Sequence, residues 1–410
     1  MQKKRSILLI GILIFICLFS GCTNKLPSPL LMECPDDIFI PETDSNPSFL
    51  ANQENVYEFL LKEKMTNVEI HFLEDDALIF SDRYEYYETA SSSYTFSNYY
   101  RYDFKTGEIT PITAFLSRLY TARELEWAST DDSLAFQLDY STPLANYASN
   151  EPYAQKLFSY SPETNLVYEM DKVDSDFLEL VGQGDALYAL SGKTGLLGAR
   201  SKTFITKYSL DTQTSKRVLR ATANNWANSG EILQRIFATN DGFAVLVENQ
   251  KTKSLRMDFY DVNWKLARSV ALPFAHQPSL DLNTISLYGN SLLVQFQRNL
   301  KIYDLSAENP DSSAQLYLDF SASCVTGELP KTRILLKRDP DSYSDDLLYG
   351  LSSTGELVSY SFYPFVADGY TCVTALQNGN TVLLGYQQNG TPELRYIVTD
   401  LATLDTHLKK

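Results

Sequence analysis

Residues 288–294 read Tyr-Gly-Asn-Ser-Leu-Leu-Val, and this stretch decides how the chain is expected to fold. Gly289-Asn290 favours positive φ angles, and such dipeptides are the strongest short-range signal for a tight turn between two strands. The apolar run from Ser291 to Val294 follows immediately and has the character of a buried β-strand. The stretch therefore predicts a β-hairpin whose second strand lies in the core.

The same order of tight turn and apolar strand recurs along the chain. The turn points are Asp75-Asp76, Asp131-Asp132, Gly184-Asp185, Asp241-Gly242, Gly289-Asn290, Pro330-Lys331-Thr332 and Gly379-Asn380. Successive turns are separated by 56, 53, 57, 48, 41 and 49 residues. A nearly even period of this size is typical of an array of repeated supersecondary units. We therefore interpret residues 55–410 as one domain of repeats.

The second half of each unit recurs as a tyrosine- or leucine-rich strand followed by a polar turn. Residues 101–108 read Arg-Tyr-Asp-Phe-Lys-Thr-Gly-Glu, and residues 207–212 have a similar form. Phe259-Tyr260-Asp261-Val262 and Ile302-Tyr303-Asp304-Leu305 repeat the same strand end. The chain also holds 27 Tyr and 22 Phe but only 5 Met, which favours β structure. These features together predict an all-β chain of four-stranded units.

Seven such units resemble a seven-bladed β-propeller. The Tyr-Asp-x-Lys-Thr-Gly-Glu stretch at residues 102–108 resembles a turn of the quinoprotein-type and related propellers, which also occur in bacterial lipoproteins. Six or eight blades are alternatives at this point, and so is a pair of β-sandwich domains.

A propeller must also close its ring, commonly by completing one blade with strands from both chain ends. Asn55–Leu61 is expected to be the outer strand of the last blade, because the unit that includes Arg395–Val398 is short of a clear fourth strand. The alternative is a helix from Pro47 to Met65, since the apolar residues there also have helical spacing.

The N-terminus has the order of a secretion signal. Lys3-Lys4-Arg5 precedes an apolar run from Ile7 to Leu18, which is too short for a stable membrane anchor. Residues 1–21 end in Ser20-Gly21, and Cys22 follows directly. This order resembles a bacterial lipoprotein signal, although Phe19 stands where that family usually has Leu. The resemblance implies that Cys22 takes a diacylglycerol and becomes the first residue. A plain secretory signal or an uncleaved anchor is the alternative.

Residues 22–54 contain five prolines and are interpreted as the lipidated Cys22 with a tether. Removing residues 1–21 takes away three positive side chains, so the net charge falls from −16 to −19. Anionic lipid headgroups do not attract an acidic protein surface. The acyl chains on Cys22 are therefore expected to hold the protein on the extracytoplasmic side of the cell membrane. The same charge argues against a nucleic-acid partner.

The remaining cysteines, Cys34, Cys324 and Cys372, allow at most one intrachain bridge outside the cytoplasm. Cys324 and Cys372 occupy equivalent positions in neighbouring units, which favours separate thiols or a bridge to Cys34. Three buried, unpaired cysteines are the alternative. The sequence holds no Cys/His cluster, so no metal site and no cofactor are expected.

Tyrosines concentrate in two long segments between the second and third strands of the first two units. In propellers this connection lies on the face where ligands usually bind. Tyrosine offers a flat apolar ring and a hydroxyl at low entropic cost, which suits glycans or peptides. The alternative is that the rings pack the loops onto their own blade. The candidate ligand-binding residues are Tyr84, Tyr86, Tyr87, Tyr94, Tyr140, Tyr147 and Tyr153.

Catalytic signatures are weak by comparison. His71, His276 and His407 are scattered, and no Gly-x-Ser-x-Gly motif is present. The acidic stretch from Asp339 to Asp346 lacks the spacing of an EF-hand and is interpreted as a solvated turn. The chain is therefore expected to be a binding or assembly module for an envelope protein, peptide or glycan. The alternative is a glycan-active enzyme, which needs carboxylates that converge on the tyrosine segments.

Overall fold

The computed structural model describes the following residues, to which every structural statement refers: 48–53, 56–60, 68–89, 92–113, 121–123, 127–130, 133–141, 154–163, 166–169, 176–194, 200–210, 214–224, 229–278, 280–282, 285–296, 299–307, 310, 312–317, 324–326, 334–337, 347–351, 357–360, 370–388, 394–406 and 408–409. Within these ranges the chain forms 31 strands and one short helix. The prediction of an all-β chain is confirmed.

The first sheets along the chain are antiparallel and run in sequence order. Two N-terminal strands precede the sheet β3-β4-β5-β6, and the next sheet has the order β11-β10-β9-β7, with β8 also paired to β9. The strands are β1 (Ser48–Gln53), β2 (Val56–Leu60), β3 (Val68–Leu73), β4 (Ala77–Thr89), β5 (Ser92–Asp103), β6 (Ile109–Thr113), β7 (Thr121–Arg123), β8 (Trp127–Ser129), β9 (Leu134–Ser141), β10 (Ala154–Ser161) and β11 (Leu166–Glu169).

An eight-stranded sheet follows, in the order β12 to β19. It consists of two four-stranded runs, which a short pairing of Ala223 with Gly230 and of Asn224 with Ser229 joins into one sheet. The strands are β12 (Asp176–Gln183), β13 (Ala186–Thr194), β14 (Arg200–Ser209), β15 (Thr214–Asn224), β16 (Ser229–Thr239), β17 (Gly242–Asn249), β18 (Ser254–Asp261) and β19 (Leu266–Ala275).

The C-terminal part repeats the four-stranded antiparallel arrangement. Its sheets have the orders β20-β21-β22-β23 and β24-β25-β26-β27-β31, and β28 to β30 belong to a further sheet. The elements are β20 (Ser286–Tyr288), β21 (Ser291–Phe296), β22 (Asn299–Asp304), β23 (Ser312–Tyr317), β24 (Cys324–Thr326), β25 (Ile334–Lys337), β26 (Leu347–Leu351), β27 (Leu357–Tyr360), β28 (Tyr370–Asn378), β29 (Thr381–Gln388), β30 (Leu394–Asp400), α1 (Leu401–Asp405) and β31 (Leu408–Lys409).

Four of the predicted turns between first and second strands lie where the sequence placed them, at Asp75-Asp76, Gly184-Asp185, Gly289-Asn290 and Gly379-Asn380. Gly184 and Gly289 each have a φ of 57°, the left-handed conformation that a tight turn requires. The turn before β17 lies one residue earlier than predicted, at Asn240-Asp241. Asp131-Asp132 and Pro330–Thr332 lie outside the described residues, between β8 and β9 and between β24 and β25.

The repeated Tyr-Asp pair at the end of third strands has a local cause. Asp103 Oδ1 accepts hydrogen bonds from the backbone N–H groups of Lys105 and Thr106 at 2.9 and 2.7 Å. Asp261 and Asp304 accept equivalent backbone bonds in their own units. Each aspartate thereby fixes the polar turn that leads to the fourth strand.

The two ends of the chain meet in one sheet. β2 pairs antiparallel with β30, with Phe59 opposite Tyr396, and β1 pairs with β2 on the outside. The sheet order is therefore β1-β2-β30-β29-β28. The prediction that this segment closes the last unit is confirmed, but β1 and not β2 is the outermost strand. The alternative of a helix is wrong for the described residues 48–53 and 56–60. β1 falls within residues 22–54, so the end of that stretch adds a strand to the domain.

Several neighbouring units pack through their leading strands, defined as β3, β8, β12, β16, β20, β24 and β28. β3 contacts β8, β8 contacts β12, β12 contacts β16, and β28 contacts both β25 and β3. An apolar cluster joins the first and last units through Leu73 and Tyr102 on one side and Leu383 and Tyr396 on the other. Asn378 Nδ2 also donates to the Leu73 carbonyl oxygen at 2.6 Å. The first unit is therefore a packing neighbour of the last.

A buried ion pair ties three successive units together. The Arg235 guanidinium on β16 donates to Glu179 Oε1 on β12 from Nε at 2.9 Å and from Nη2 at 2.7 Å. Its Nη1 donates to the carbonyl oxygens of Leu282 and Ile285, both at 3.0 Å, directly before β20. The second oxygen of Glu179 accepts the Ile236 backbone N–H. Both charges thus have partners inside the protein, as burial requires.

Replacement of this carboxylate tests its role in holding the units together. Glu179→Gln leaves the Arg235 guanidinium buried without its counter-charge, so the free energy of unfolding should fall by about 3–5 kcal/mol. Urea denaturation followed by tyrosine fluorescence measures the change. The matched control is Lys105→Gln, which removes an exposed ion pair with Asp76 and should cost at most about 1 kcal/mol. Equal losses in the free energy of unfolding would show that the buried Glu179–Arg235 pair stabilises the fold no more than an exposed ion pair does.

Candidate functional site

The hairpin of β4 and β5 is longer than the sheet to which it belongs. The two strands have 13 and 12 residues. β3 pairs with β4 only as far as Asp82, and β6 pairs with β5 only as far as Tyr99. Among the described residues, no third strand pairs with the part beyond these points. We call this part, residues 83–89 and 92–97, the extended hairpin.

Four of the predicted ligand-binding tyrosines lie in the extended hairpin. Tyr86 is directly opposite Tyr94, Tyr84 is opposite Phe96, and Tyr87 is opposite Ser93. The sequence placed these tyrosines in a loop, and the structure places them in strands. The reason is that aromatic and β-branched residues favour extended pairing, which here continues past the edge of the sheet.

Of the second tyrosine segment, the structure describes only Tyr140 among the predicted residues. Tyr140 is in β9, where it pairs with Ala154 on β10 and with Ala122 on β7. β5 contacts β7, so the strand that carries Tyr94 packs against the strand that pairs at Tyr140. The structure therefore places Tyr94 and Tyr140 in units whose strands β5 and β7 are in contact.

The other predicted positions lie outside the described residues. They are Cys22 and the signal at residues 1–21, Cys34, Tyr147, Tyr153, the acidic stretch from Asp339 to Asp346, and His407. The part of the chain that the structure describes contains no helix long and apolar enough to cross a membrane. The same part contains no group of three or more His, Cys, Asp or Glu side chains that could hold a metal ion.

A histidine lies near the base of the extended hairpin. His71 Nε2 is 2.6 Å from Ser81 Oγ, and the Ser81 side chain is fully buried on β4. Burial lowers the pKa of His71 to about 4, because the charged imidazolium would lose its hydration. The imidazole is therefore neutral at neutral pH.

Sequence reasoning missed a polar cluster around Glu248, near the end of β17. Lys253 Nζ lies 2.9 Å from Glu248 Oε1, and His276 Nδ1 lies 2.8 Å from Oε2. Gln234 and Gln250 donate side-chain hydrogen bonds to the same carboxylate. The partners of Glu248 lie between 2 and 28 residues away along the chain, so no local sequence motif predicts the cluster.

The electrostatics of this cluster keep Glu248 ionised. Burial by itself raises the pKa of Glu248, but the hydrogen bonds and charges of Lys253 and His276 outweigh it and leave the pKa below its ordinary value. An ionised carboxylate accepts, so Nδ1 of His276 carries the proton. The His276 side chain is 34% exposed, whereas Glu248 is 2% exposed. The imidazole of His276 is therefore partly exposed, and a buried carboxylate holds its Nδ1.

No known protein family matches the sequence, and no curated protein matches it either. Solved structures are similar at the level of architecture. The β-propeller domain of the Trilobed protease from Pyrococcus furiosus is 10% identical, with 72% of this chain and 83% of that chain covered and a TM-score of 0.43. An oligogalacturonate lyase from Vibrio parahaemolyticus is 12% identical, with 84% and 94% covered and a TM-score of 0.46.

A puromycin-hydrolyzing peptidase from Mycobacterium tuberculosis is 11% identical, with 84% of this chain and 53% of that chain covered and a TM-score of 0.49. The chain spans about half the length of this peptidase and 55% of a prolyl endopeptidase that it also matches. At such identities and TM-scores these likenesses assign no activity to the chain.

Acidification tests the environment of His71. The unfolded imidazole binds a proton near pH 6.5, whereas the folded imidazole resists protonation until about pH 4. The free energy of unfolding should therefore fall as pH drops through this window, with a slope from this group of at most about 1.4 kcal/mol per pH unit. Urea denaturation at a series of pH values measures it. The difference between the wild type and His71→Asn isolates the imidazole, and parallel curves would contradict its burial as a neutral group.

Proposed function

We propose that this chain is a lipid-anchored β-propeller of seven four-stranded blades, which binds a protein, peptide or glycan at the cell envelope. The ring is supported by antiparallel units that follow one another along the chain and by contacts between their leading strands. The pairing of β2 with β30 supports closure, because a strand from before the first unit completes the last one.

The extended hairpin is the observation that carries the binding role. Residues of a sheet normally gain stability from paired strands on both sides, and no third described strand pairs with this ribbon. Its sequence nevertheless places Tyr84, Tyr86 and Tyr94 at cross-strand positions. Aromatic residues at such a projecting site are suited to contact a ligand through ring faces and hydroxyl groups.

The buried carboxylates also favour binding over catalysis. Glu179 is paired with Arg235, Glu248 with Lys253 and His276, and Asp258 with Arg256. Each is 8% exposed or less, so these groups are engaged in holding the fold. Their partners lie in the same or adjacent units, and that arrangement explains them without a substrate.

A second candidate function, a glycan-active enzyme, has one observation in its favour. Glu248 holds Nδ1 of His276, and Nε2 of the same ring has no hydrogen-bond partner among the described residues. A carboxylate that orients an accessible imidazole is a known way to prepare a proton-transfer group. Product analysis on any glycan that binds decides between the two functions, because only an enzyme would cleave the glycan and lose that activity in His276→Asn.

Replacement of the hairpin tyrosines tests the binding role. The purified chain is screened against a glycan array and an envelope extract, and affinities for any hits are measured. A variant with Tyr84→Ala, Tyr86→Ala and Tyr94→Ala should bind at least about tenfold more weakly, because aromatic anchors dominate interface energies. The matched control replaces Ser93, Thr95 and Ser97 of the same ribbon by alanine and should keep its affinity. Binding that is indifferent to both variants would remove the hairpin from the site.

The lipid anchor has its own test. With diacylglycerol on Cys22, the expressed chain should partition into the detergent phase of a Triton X-114 separation, since acyl chains contribute about 0.8 kcal/mol per buried methylene. Cys22→Ser should move to the aqueous phase, while the control Cys34→Ser should stay with the detergent. Equal partitioning of the two variants would contradict lipidation at Cys22.

A further inference from the structure

Basic residues are concentrated in one part of this acidic protein. The chain carries a net charge of −16, yet residues 200–224 hold six Lys or Arg and a single Asp. All six belong to the paired strands β14 and β15, and the structure describes the side chains of five of them. We call the following set the basic strand pair: Lys202, Lys207, Lys216, Arg217 and Arg220.

These cations lack the partners that other cations of the chain have. Arg101, Arg235 and Arg256 each contact a carboxylate. In the part of the chain that the structure describes, no member of the basic strand pair forms an ion pair. Two of them lie against aromatic rings instead. The Arg217 guanidinium lies 4.0 Å from the centroid of the Phe204 ring, and Lys207 Nζ lies 5.9 Å from that of Tyr188.

The strand register adds an electrostatic cost. Lys207 lies directly opposite Lys216, and like charges at opposed positions destabilise a sheet. Lys202, Lys216, Arg217 and Arg220 are exposed, so their positive charge faces solvent. A surface with unpaired cations and a like-charge cross-strand pair is suited to receive negative charge from outside the chain.

The geometry of the strands favours a linear occupant. β15 pairs with β16 only at Ala223 and Asn224, so the edge before these residues has no neighbouring strand among those described. Lys202 and Lys207 are five residues apart on β14, and about 3.3 Å per residue gives roughly 17 Å between them. This odd separation puts them on opposite faces of the sheet. A flat lipid surface meets one side of such an edge, whereas a flexible chain can contact both.

We propose that the basic strand pair binds a linear polyanion, specifically an acidic polysaccharide that carries carboxylate groups. Several sugar carboxylates along one chain would meet the exposed ammonium and guanidinium groups, and Arg217 and Arg220 can each bind a carboxylate with two N–H groups. This surface is separate from the extended hairpin and does not depend on the ligand of the hairpin.

Alginate, a polymer of uronic acids, is the probe. Titration of the full chain with alginate at 50 and 200 mM salt should show binding that weakens with salt, and neutral dextran should not bind. The variant Lys202→Gln, Arg217→Gln, Arg220→Gln should bind alginate at least tenfold more weakly. The matched control Lys105→Gln, Lys251→Gln, Lys265→Gln removes the same number of exposed charges and should stay within twofold.

Two further readouts decide the interpretation. Urea midpoints of both triple variants should lie close to that of the wild type and to each other, and the hairpin tyrosine variant should bind alginate normally. The proposal is overturned if alginate does not bind, if the two triple variants lose affinity equally, or if the chain binds phosphatidylglycerol vesicles but not alginate. If alginate does not bind, the lysines are explained as charges that keep the sheet edge from pairing with strands of other chains.

Discussion

The pairing of β2 with β30 is the constraint on which the rest of this structure depends. A row of antiparallel units leaves its first and last members with uncovered faces, and apolar side chains on an uncovered face stay exposed to water. Here a strand from before the first unit joins the last one, and Leu73, Tyr102, Leu383 and Tyr396 bury their side chains at the junction. The first and last units are thereby held against each other.

Charged side chains also hold neighbouring units together. Arg235 reaches Glu179 in the preceding unit and the carbonyl oxygens before β20 in the next one, so a single side chain fixes the spacing of three units. Glu248 gathers its partners within one unit. Two regions differ from this pattern of paired strands and paired charges. Among the described residues, no third strand pairs with the extended hairpin, and no carboxylate forms an ion pair with the basic strand pair.

The sequence predicted the fold well where the signal is local. Turn dipeptides such as Gly289-Asn290 and apolar strands such as Ser291–Val294 lie within a few residues of each other, and the structure confirms them. The tyrosines near Tyr86 were assigned to a loop, because the sequence does not show where flanking strands stop. The cluster at Glu248 could not be predicted, since Gln234 and His276 approach it only after the strands have paired.

Amide hydrogen exchange on a full-length Glu58→Pro variant tests closure most directly. Proline in the middle of β2 removes a backbone donor and disfavours its pairing with β30. If β2 closes the domain, amides of β30 and β3 should exchange at least about tenfold faster than in the wild type, while those of β17 keep their protection. Unchanged exchange throughout β30 would contradict the account, because the last unit would then be stable without a strand from the other end of the chain.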